Sequence, residues 1–146
     1  MFIYELTGKP VPQKQTRFVC ACRKGHAYDP SRKDLEQMQW QMRPFAPETP
    51  LQGPVELTMI FFFPIPKATS AIRRRQMINR VILPIVRPDE DNLAYIVTNA
   101  MKKIFYEDDS QICAKHVYKF YGAQPKTVVR VVPIATGENF GLGLPE

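Results

Sequence analysis

The feature that most constrains the fold is residues 55–63, VELTMIFFF, a run of almost uninterrupted apolar, β-branched and aromatic side chains. This composition favours a strand, and it is apolar enough for a central place in a sheet. Pro64 and Pro66 end the run, because proline has no N–H to donate to a strand ladder. The chain is therefore expected to build its sheet around residues 55–63.

Four further segments have the composition or alternation of strands. They are residues 2–6 (FIYEL), 16–22 (TRFVCAC), 112–120 (ICAKHVYKF) and 126–134 (KTVVRVVPI). The last two are separated by a short stretch that contains Gly122 and Pro125, which are turn residues. The pattern therefore predicts that they close the fold as a hairpin.

Two segments have the apolar periodicity of a helix with one buried face. The first begins at Ser31, which forms a capping-box pattern with Asp34, and it continues to Met42 before a proline-rich loop. The second begins at Asp91 and is the most regular in the chain. Its apolar positions are Leu93, Ile96, Val97, Ala100, Met101 and Ile104.

A third helix is predicted for residues 70–79, and it carries Arg73, Arg74 and Arg75 in succession. Three adjacent positions on a helix point across more than half of its circumference, so at least one arginine must face solvent or a ligand. A solvated helix face is the simpler interpretation, and phosphate binding is the functional one.

Length and composition fit one globular domain. The chain has 146 residues, of which 45% are hydrophobic and 23% charged, and strands mixed with helices predict an α+β fold with a mixed sheet. No segment has the length and apolarity of a membrane span or the pattern of a secretory signal, and three cysteines are too few for a disulfide framework. We therefore expect a cytoplasmic protein with one domain over residues 1–136 and a flexible tail over residues 137–146.

The charges are unevenly distributed. The net charge is +6, from 20 lysines and arginines against 14 acids, yet residues 87–110 contain six acids and only three bases. A basic surface around an acidic spot fits a polyanionic partner together with a cation held by the carboxylates. The alternative is that the bases only solvate the surface.

The acids of residues 87–110 form two pairs at opposite ends of the predicted helix. Asp89 and Asp91 lie at its beginning, and Asp108 and Asp109 follow its end. If the chain folds back after the helix, the pairs can meet, but like charges at close range disfavour ionisation unless a divalent cation joins them. Taken singly, Asp91 also suits a helix N-cap and Asp108 a turn, so these structural interpretations stay open.

The residues of this region resemble a known family. The run Pro88-Asp89-x-Asp91-Asn92-Leu93, then an amphipathic helix, then Asp108-Asp109-x-Gln111-Ile112, is similar to the RusA family of Holliday junction resolvases. The N-terminal run Gly8-x-Pro10-x-Pro12-x-Lys14-x-x-Arg17 resembles a basic loop of the same family. The likeness extends over nearly the whole chain.

The resemblance implies a homodimeric endodeoxyribonuclease with a RusA-like fold. Its expected partner is branched double-stranded DNA, and no membrane partner is expected. It implies paired symmetric nicks across four-way junctions, with Mg²⁺ or Mn²⁺ as cofactor. Asp89, Asp91 and Asp109 match the catalytic carboxylates, and Asp108 adjoins them as a fourth metal ligand. The residues expected to bind DNA are Lys14, Arg17, Arg73, Arg74, Arg75, Lys102 and Lys103.

Two positions depart from the family pattern. Tyr95 stands where the family usually has a lysine, and Asn99 stands where an aspartate is common. Tyr95 shares a helix face with Asp91, so Tyr95 and Asn92 are expected in the pocket, while Lys102 is expected to lie too far along the helix to replace the lysine. Two alternatives therefore stay open: an inactive junction-binding relative, and a phosphatase of the haloacid dehalogenase type, whose nucleophile loop also has an Asp-x-Asp run.

Overall fold

The computed structural model describes residues 1–21, 24–135 and 137. The strands are β1 (Phe2–Thr7), β2 (Arg17–Ala21), β3 (Lys24–Tyr28), β4 (Val55–Pro64), β5 (Ile112–Gly122) and β6 (Lys126–Pro133). The helices are α1 (Arg32–Met42), α2 (Ala71–Ile78) and α3 (Glu90–Met101), with 3-10 turns at Arg43–Phe45 and Asp109–Gln111. No helix in these ranges is long and apolar enough to cross a membrane.

The main sheet has the strand order β1-β6-β4-β5, so the predicted central position of residues 55–63 is confirmed. β6 pairs with β4 in antiparallel direction, whereas β5 pairs with it in parallel. A parallel pair needs a crossover, and α2 and α3 supply it between β4 and β5. The mixed sheet with its helices confirms the α+β class.

The predicted hairpin between the last two strands is wrong, because β4 lies between them and pairs with both. Alternation indicates which face of a strand is buried, but it carries no information about the pairing partner. The connection passes the end of β4 at Gly122, where an added Cβ would lie 3.1 Å from Cδ1 of Phe62. A side chain at this position would press on the Phe62 side chain, which would have to shift to make room.

One face of the sheet is buried under α1 and α3. Alternate residues of β4 are buried, and those between them are half-buried, so the sheet has one covered and one open face. α3 contributes a fully buried stripe, which the structure confirms at the positions that periodicity predicted: Leu93, Ile96, Val97, Ala100 and Met101. Ile104 lies beyond the end of the helix.

The beginning of α1 differs from its predicted capping box. Ser31 is the N-cap residue, but its side chain makes no capping hydrogen bond. Instead Ser31 Oγ accepts from the Lys14 N–H at 2.8 Å, and the Asp34 carboxylate pairs with Lys14 Nζ at 3.1 Å. The two residues therefore fix the loop before β2 rather than the first turn of the helix.

β2 and β3 form a separate two-stranded ribbon. β3 is absent from the sequence prediction, because glycine and histidine in KGHAY weaken its strand pattern. At the other end of the chain, the tail expected to be flexible lies outside the described residues except for Gly137.

Candidate active site

The first acid pair lies at the beginning of α3. Asp89 is the N-cap residue with an extended backbone, yet its carboxylate makes no capping hydrogen bond. Asp91 Oδ1 accepts from the N–H of Asn92 at 2.8 Å. Both carboxylates are exposed, and neither forms an ion pair with any residue that the structure describes. Asp91 is therefore not the N-cap residue, although its Oδ1 accepts one N–H of the first turn. Its Oδ2 and the Asp89 carboxylate have no hydrogen bond to the described residues and are available to a ligand.

Two distant groups hold the segment that carries this pair. Lys119 on β5 donates from Nζ to the carbonyl oxygens of Val86 at 2.7 Å and Pro88 at 2.9 Å. The Gln13 N–H donates to the carbonyl oxygen of Asn92 at 3.0 Å. Asp89 and Asp91 are thus positioned from the sheet on one side and from the N-terminal loop on the other.

The chain folds back after α3, as the sequence analysis required. The helix ends at Met101, because Lys102 leaves the helical backbone with ψ of 134°, and Lys103 follows with a left-handed φ of 65°. The Lys103 N–H donates to the Tyr106 carbonyl at 2.7 Å. Tyr106 is buried, and its hydroxyl donates to the Thr98 carbonyl at 2.9 Å. Burial, with the charges of Asp109 and Asp108 adding, raises the pKa of Tyr106 well above its ordinary value, so it stays a neutral donor.

Gln111 fixes the turn that carries the second acid pair. Its Oε1 accepts from the N–H groups of Glu107 at 2.7 Å and Asp108 at 3.0 Å. Its Nε2 donates to the carbonyl oxygens of Leu51 at 2.9 Å and Gly53 at 2.8 Å. One amide side chain therefore ties the turn to the loop before β4.

Asp109 lies beside the second turn of α3. It lines a cavity of about 370 Å³ together with Tyr95 and Thr98, and its Oδ1 is buried without a hydrogen-bond partner among the described residues. A buried carboxylate oxygen without a donor is costly, and a hard divalent cation would satisfy it. Asp109 thus has the character of a metal ligand.

Asp108 has a different environment from its neighbour. It forms an ion pair with Lys102 and accepts from Ser110 Oγ at 3.3 Å. The hydrogen bond with Lys102 lowers the pKa of Asp108, and the same hydrogen bond raises the pKa of Lys102, with the charges of Asp108 and Asp109 adding. The reversal of the chain thus brings Asp108 back to Lys102, whereas Lys102 lines none of the cavities that contain Asp89, Asn92, Tyr95 or Asp109, so its expected distance from Tyr95 stays a prediction.

Three cavities with shared lining residues lie between Asp89 and Asp109. Asp89 and Asn92 line one of about 420 Å³, Asn92 and Tyr95 the next of about 410 Å³, and Tyr95 and Asp109 the third. Asn92 and Tyr95 thus lie between the pairs, as expected of pocket residues. No group of three or more metal-ligating side chains comes together within the described ranges. The expected convergence of the pairs is absent from this chain alone, where like charges disfavour closer approach.

The seven basic residues expected to bind DNA fall into two groups. Lys14, Lys102 and Lys103 are each paired with an acid, respectively Asp34, Asp108 and Glu107. The other four are exposed and form no ion pair within the part of the chain that the structure describes: Arg17, Arg73, Arg74 and Arg75. The inference that α2 must present arginine to the outside is confirmed for all three of its arginines.

Sequence reasoning missed the residues that hold the acids in place. Gln111 is part of the quoted Asp-Asp-x-Gln run, which could have indicated a structural role, since a glutamine next to two aspartates can bridge backbone groups. Lys119 and Gln13 had no such signal, because their partners are backbone carbonyl and N–H groups far away in the sequence.

Comparison with known proteins gives the family. The model for the family described as endodeoxyribonuclease RusA matches residues 7–132. The uncharacterized protein YqaN of Bacillus subtilis (strain 168) is 29% identical over 132 residues, which cover 88% of this chain and 93% of that protein. Because the RusA model matches residues 7–132, the phosphatase alternative of the haloacid dehalogenase type is not retained. Because it covers most of the chain and agrees with the mixed sheet and the quoted motifs, the protein belongs to the RusA family of endodeoxyribonucleases, the Holliday junction resolvases.

Proposed function

We propose that this chain resolves four-way DNA junctions by paired symmetric nicks, using Mg²⁺ or Mn²⁺. Asp89, Asp91 and Asp109 act as the catalytic carboxylates, and Asp108 assists. The observation that carries the proposal is the buried Oδ1 of Asp109, which has no partner among the described residues and lies in a cavity shared with Tyr95. Tyr95 also lines a second cavity with Asn92, and Asn92 lines a third with Asp89.

The carboxylates are the hard oxygen ligands that a divalent cation prefers, although no three of them come together within the described part of this chain. Asp89, Asp91 and Asp109 would hold it, and it would supply an activated water and stabilise charge on the leaving oxygen. The chain itself positions these acids: Lys119 and Gln13 fix the segment of the first pair, and Gln111 fixes the turn of the second.

Lys102 supplies the positive charge that Tyr95 lacks. Its ammonium group is paired with Asp108, and this hydrogen bond raises its pKa, so it carries a positive charge beside that acid. A fixed ammonium group beside a scissile phosphate stabilises charge that develops in the transition state. Tyr95 remains available to stack on or hydrogen-bond to a nucleotide.

The four unpaired arginines would bind phosphates of the junction arms. Arg73, Arg74 and Arg75 share α2, and Arg17 begins β2. Lys14 and Lys103 would join them by exchanging an exposed carboxylate partner for a phosphate, which costs little because exposed ion pairs are weak. Affinity for DNA should therefore fall steeply as salt is raised.

We also propose that the active form is a homodimer in the cytoplasm of a bacterial or phage-infected cell. Two nicks placed symmetrically across a junction require two sites related by a two-fold axis. Exposed apolar side chains on α2 and the segment after it, such as Ile72 at 75%, Val81 at 71% and Ile85 at 96% exposure, support a second copy of the chain as their partner.

The test is cleavage of a synthetic four-way junction, scored on a denaturing gel for paired nicks. Asp91→Asn should reduce nicking by more than the roughly 10- to 100-fold typical of residues that only orient metal ligands, and it should leave junction binding intact. Glu90→Gln is the matched control, because it removes the same charge from an exposed neighbour.

Asp91→Asn cutting at the wild-type rate would refute the site. Wild-type protein that binds junctions tightly but does not cut them at any Mg²⁺ or Mn²⁺ concentration would favour the inactive junction-binding relative, the alternative that Tyr95 keeps open. A chelator should abolish nicking by the active enzyme, and sedimentation should give the mass of a dimer.

A further inference from the structure

The β2–β3 ribbon has no cover on either face. All of its described side chains are exposed, among them Phe18 at 82%, Val19 at 49% and Tyr28 at 40%. Within the described ranges it packs extensively against no other helix or strand. A two-stranded ribbon alone is only marginally stable in water, so this element is built to lie against something else.

The two faces of the ribbon differ in chemistry. The register pairs Arg17 with Tyr28 and Val19 with His26, and cross-strand partners share a face. This first face therefore presents a guanidinium, an imidazole and a phenol. The second face presents Phe18, Cys20, Gly25 and Ala27, none of which is charged or a strong hydrogen-bond donor.

The ribbon rises from the rim of the candidate active site. Thr16, just before β2, and Asp29, just after β3, both line the cavity of about 410 Å³ that also contains Asn92 and Tyr95. The ribbon extends roughly 13 Å from its base at the Arg17 and Tyr28 pair, a length comparable to the width of about 12 Å of the major groove of B-DNA.

We infer that the ribbon is a DNA-contacting arm, whose face with Arg17, Val19, His26 and Tyr28 lies against the phosphate backbone of a duplex arm of the junction. The inference rests on the proposed function, since it assumes that the substrate is branched DNA.

Charge selects DNA as the occupant rather than a second copy of the chain. Residues 17–28 contain three bases, Arg17, Arg23 and Lys24, and no acid. A second copy of this segment would repel the first, whereas a polyanion gains from both its charge and its donors. Because the residues that flank the ribbon line this cavity, a DNA strand bound in the cavity would lie next to the Arg17 end of the ribbon.

The experiment uses two adjacent residues of β2 that point to opposite faces. Val19→Glu and Cys20→Glu change the charge equally at exposed positions, one on the face assigned to DNA and one on the other. Binding of a fluorescent four-way junction is followed by anisotropy with divalent ions chelated, so that nothing is cut. Val19→Glu should weaken binding roughly fivefold, from like-charge repulsion at close range. Cys20→Glu should weaken it less than about twofold, because its charge lies across the ribbon and is screened.

Arg17→Gln gives a second measurement on the same face. It should reduce the slope of log affinity against log salt by about 1, as expected for the loss of one phosphate contact. Lys67→Gln, an exposed charge in the loop between β4 and α2, should leave the slope unchanged.

Equal effects of Val19→Glu and Cys20→Glu on binding would overturn the inference, and so would a change in the dimer mass caused by Val19→Glu without a change in DNA affinity. These results differ from failure of the proposed function. If the function were wrong, the wild type would neither prefer nor cut junctions, whereas an incorrect arm leaves wild-type binding and nicking intact.

Discussion

α3 and the residues that flank the β2–β3 ribbon line the same cavity, but the helix and the ribbon are stabilised in opposite ways. α3 buries a complete stripe of apolar side chains in the core, and its return turn is tied down by Tyr106 and Gln111. Within the described residues, the ribbon has its own ladder of backbone hydrogen bonds and no extensive packing against another helix or strand. The acids that need fixed geometry are thus on a rigid element, whereas the arm proposed to bind DNA depends on a partner for its cover.

Hydrogen exchange should give the largest contrast between these regions. The amides of β4, paired on both sides, should exchange only through global unfolding, which costs about 5–15 kcal/mol in most domains. The amides of β2 and β3 should exchange through local opening at a small fraction of this free energy. Junction DNA should slow exchange in the ribbon far more than in β4. Ribbon amides as well protected as those of β4 in the free protein would contradict the comparison.

Truncation of a core residue should have the next largest effect. Ile96 in α3 is fully buried, so Ile96→Ala should lower the free energy of unfolding by about 2–5 kcal/mol through lost burial and a cavity. Phe18→Ala in the ribbon removes an aromatic side chain that is 82% exposed, and it should change stability by less than about 0.5 kcal/mol. Denaturant unfolding of the two variants measures the difference directly. Similar losses would mean that the ribbon packs on the core.

The smallest effect concerns the charged pair at the end of α3. In the folded chain the pKa of Asp108 lies below its ordinary value because of Lys102, so the pair stabilises the fold above that ordinary pKa. This contribution is lost as the pH falls through the lowered pKa. Lys102→Gln should therefore raise the pKa of Asp108 towards the ordinary value, as measured by carboxyl NMR titration.

Lys103→Gln is the matched control, because it breaks the neighbouring pair with Glu107 instead. It should leave the pKa of Asp108 nearly unchanged. A pKa of Asp108 that responds equally to both variants would show that general surface charge, rather than the specific pair, controls it.

Much of the fold could be predicted from periodicity. The apolar pattern of α3 identified its buried face, and the composition of β4 identified its central place, because both depend on local side-chain spacing. The partner of β5 could not be found in this way, since strand pairing depends on distant segments. The capping box at Ser31 failed for a related reason, because the Lys14 backbone competes for its hydroxyl.

For the candidate site, the sequence indicated which acids to consider but not the contacts that position them. The spacing of the acids required the chain to reverse after α3, and it does. The proximity of Lys102 to Asp108 depends on the left-handed backbone of Lys103. A left-handed backbone cannot be predicted at a lysine, because lysine rarely adopts this conformation. The roles of Lys119 and Gln13 could not be predicted either, because each bonds to a backbone carbonyl group far away in the sequence.

The pairing of β1 with β6 has a consequence for folding. Phe2 lies opposite Val131, so β1 has no strand partner until residues 126–133 are in place. β4 likewise acquires both neighbours only from residues 112–133. The sheet therefore depends on contacts between segments far apart in the sequence, and folding through such distant contacts should be slow for a domain of this size.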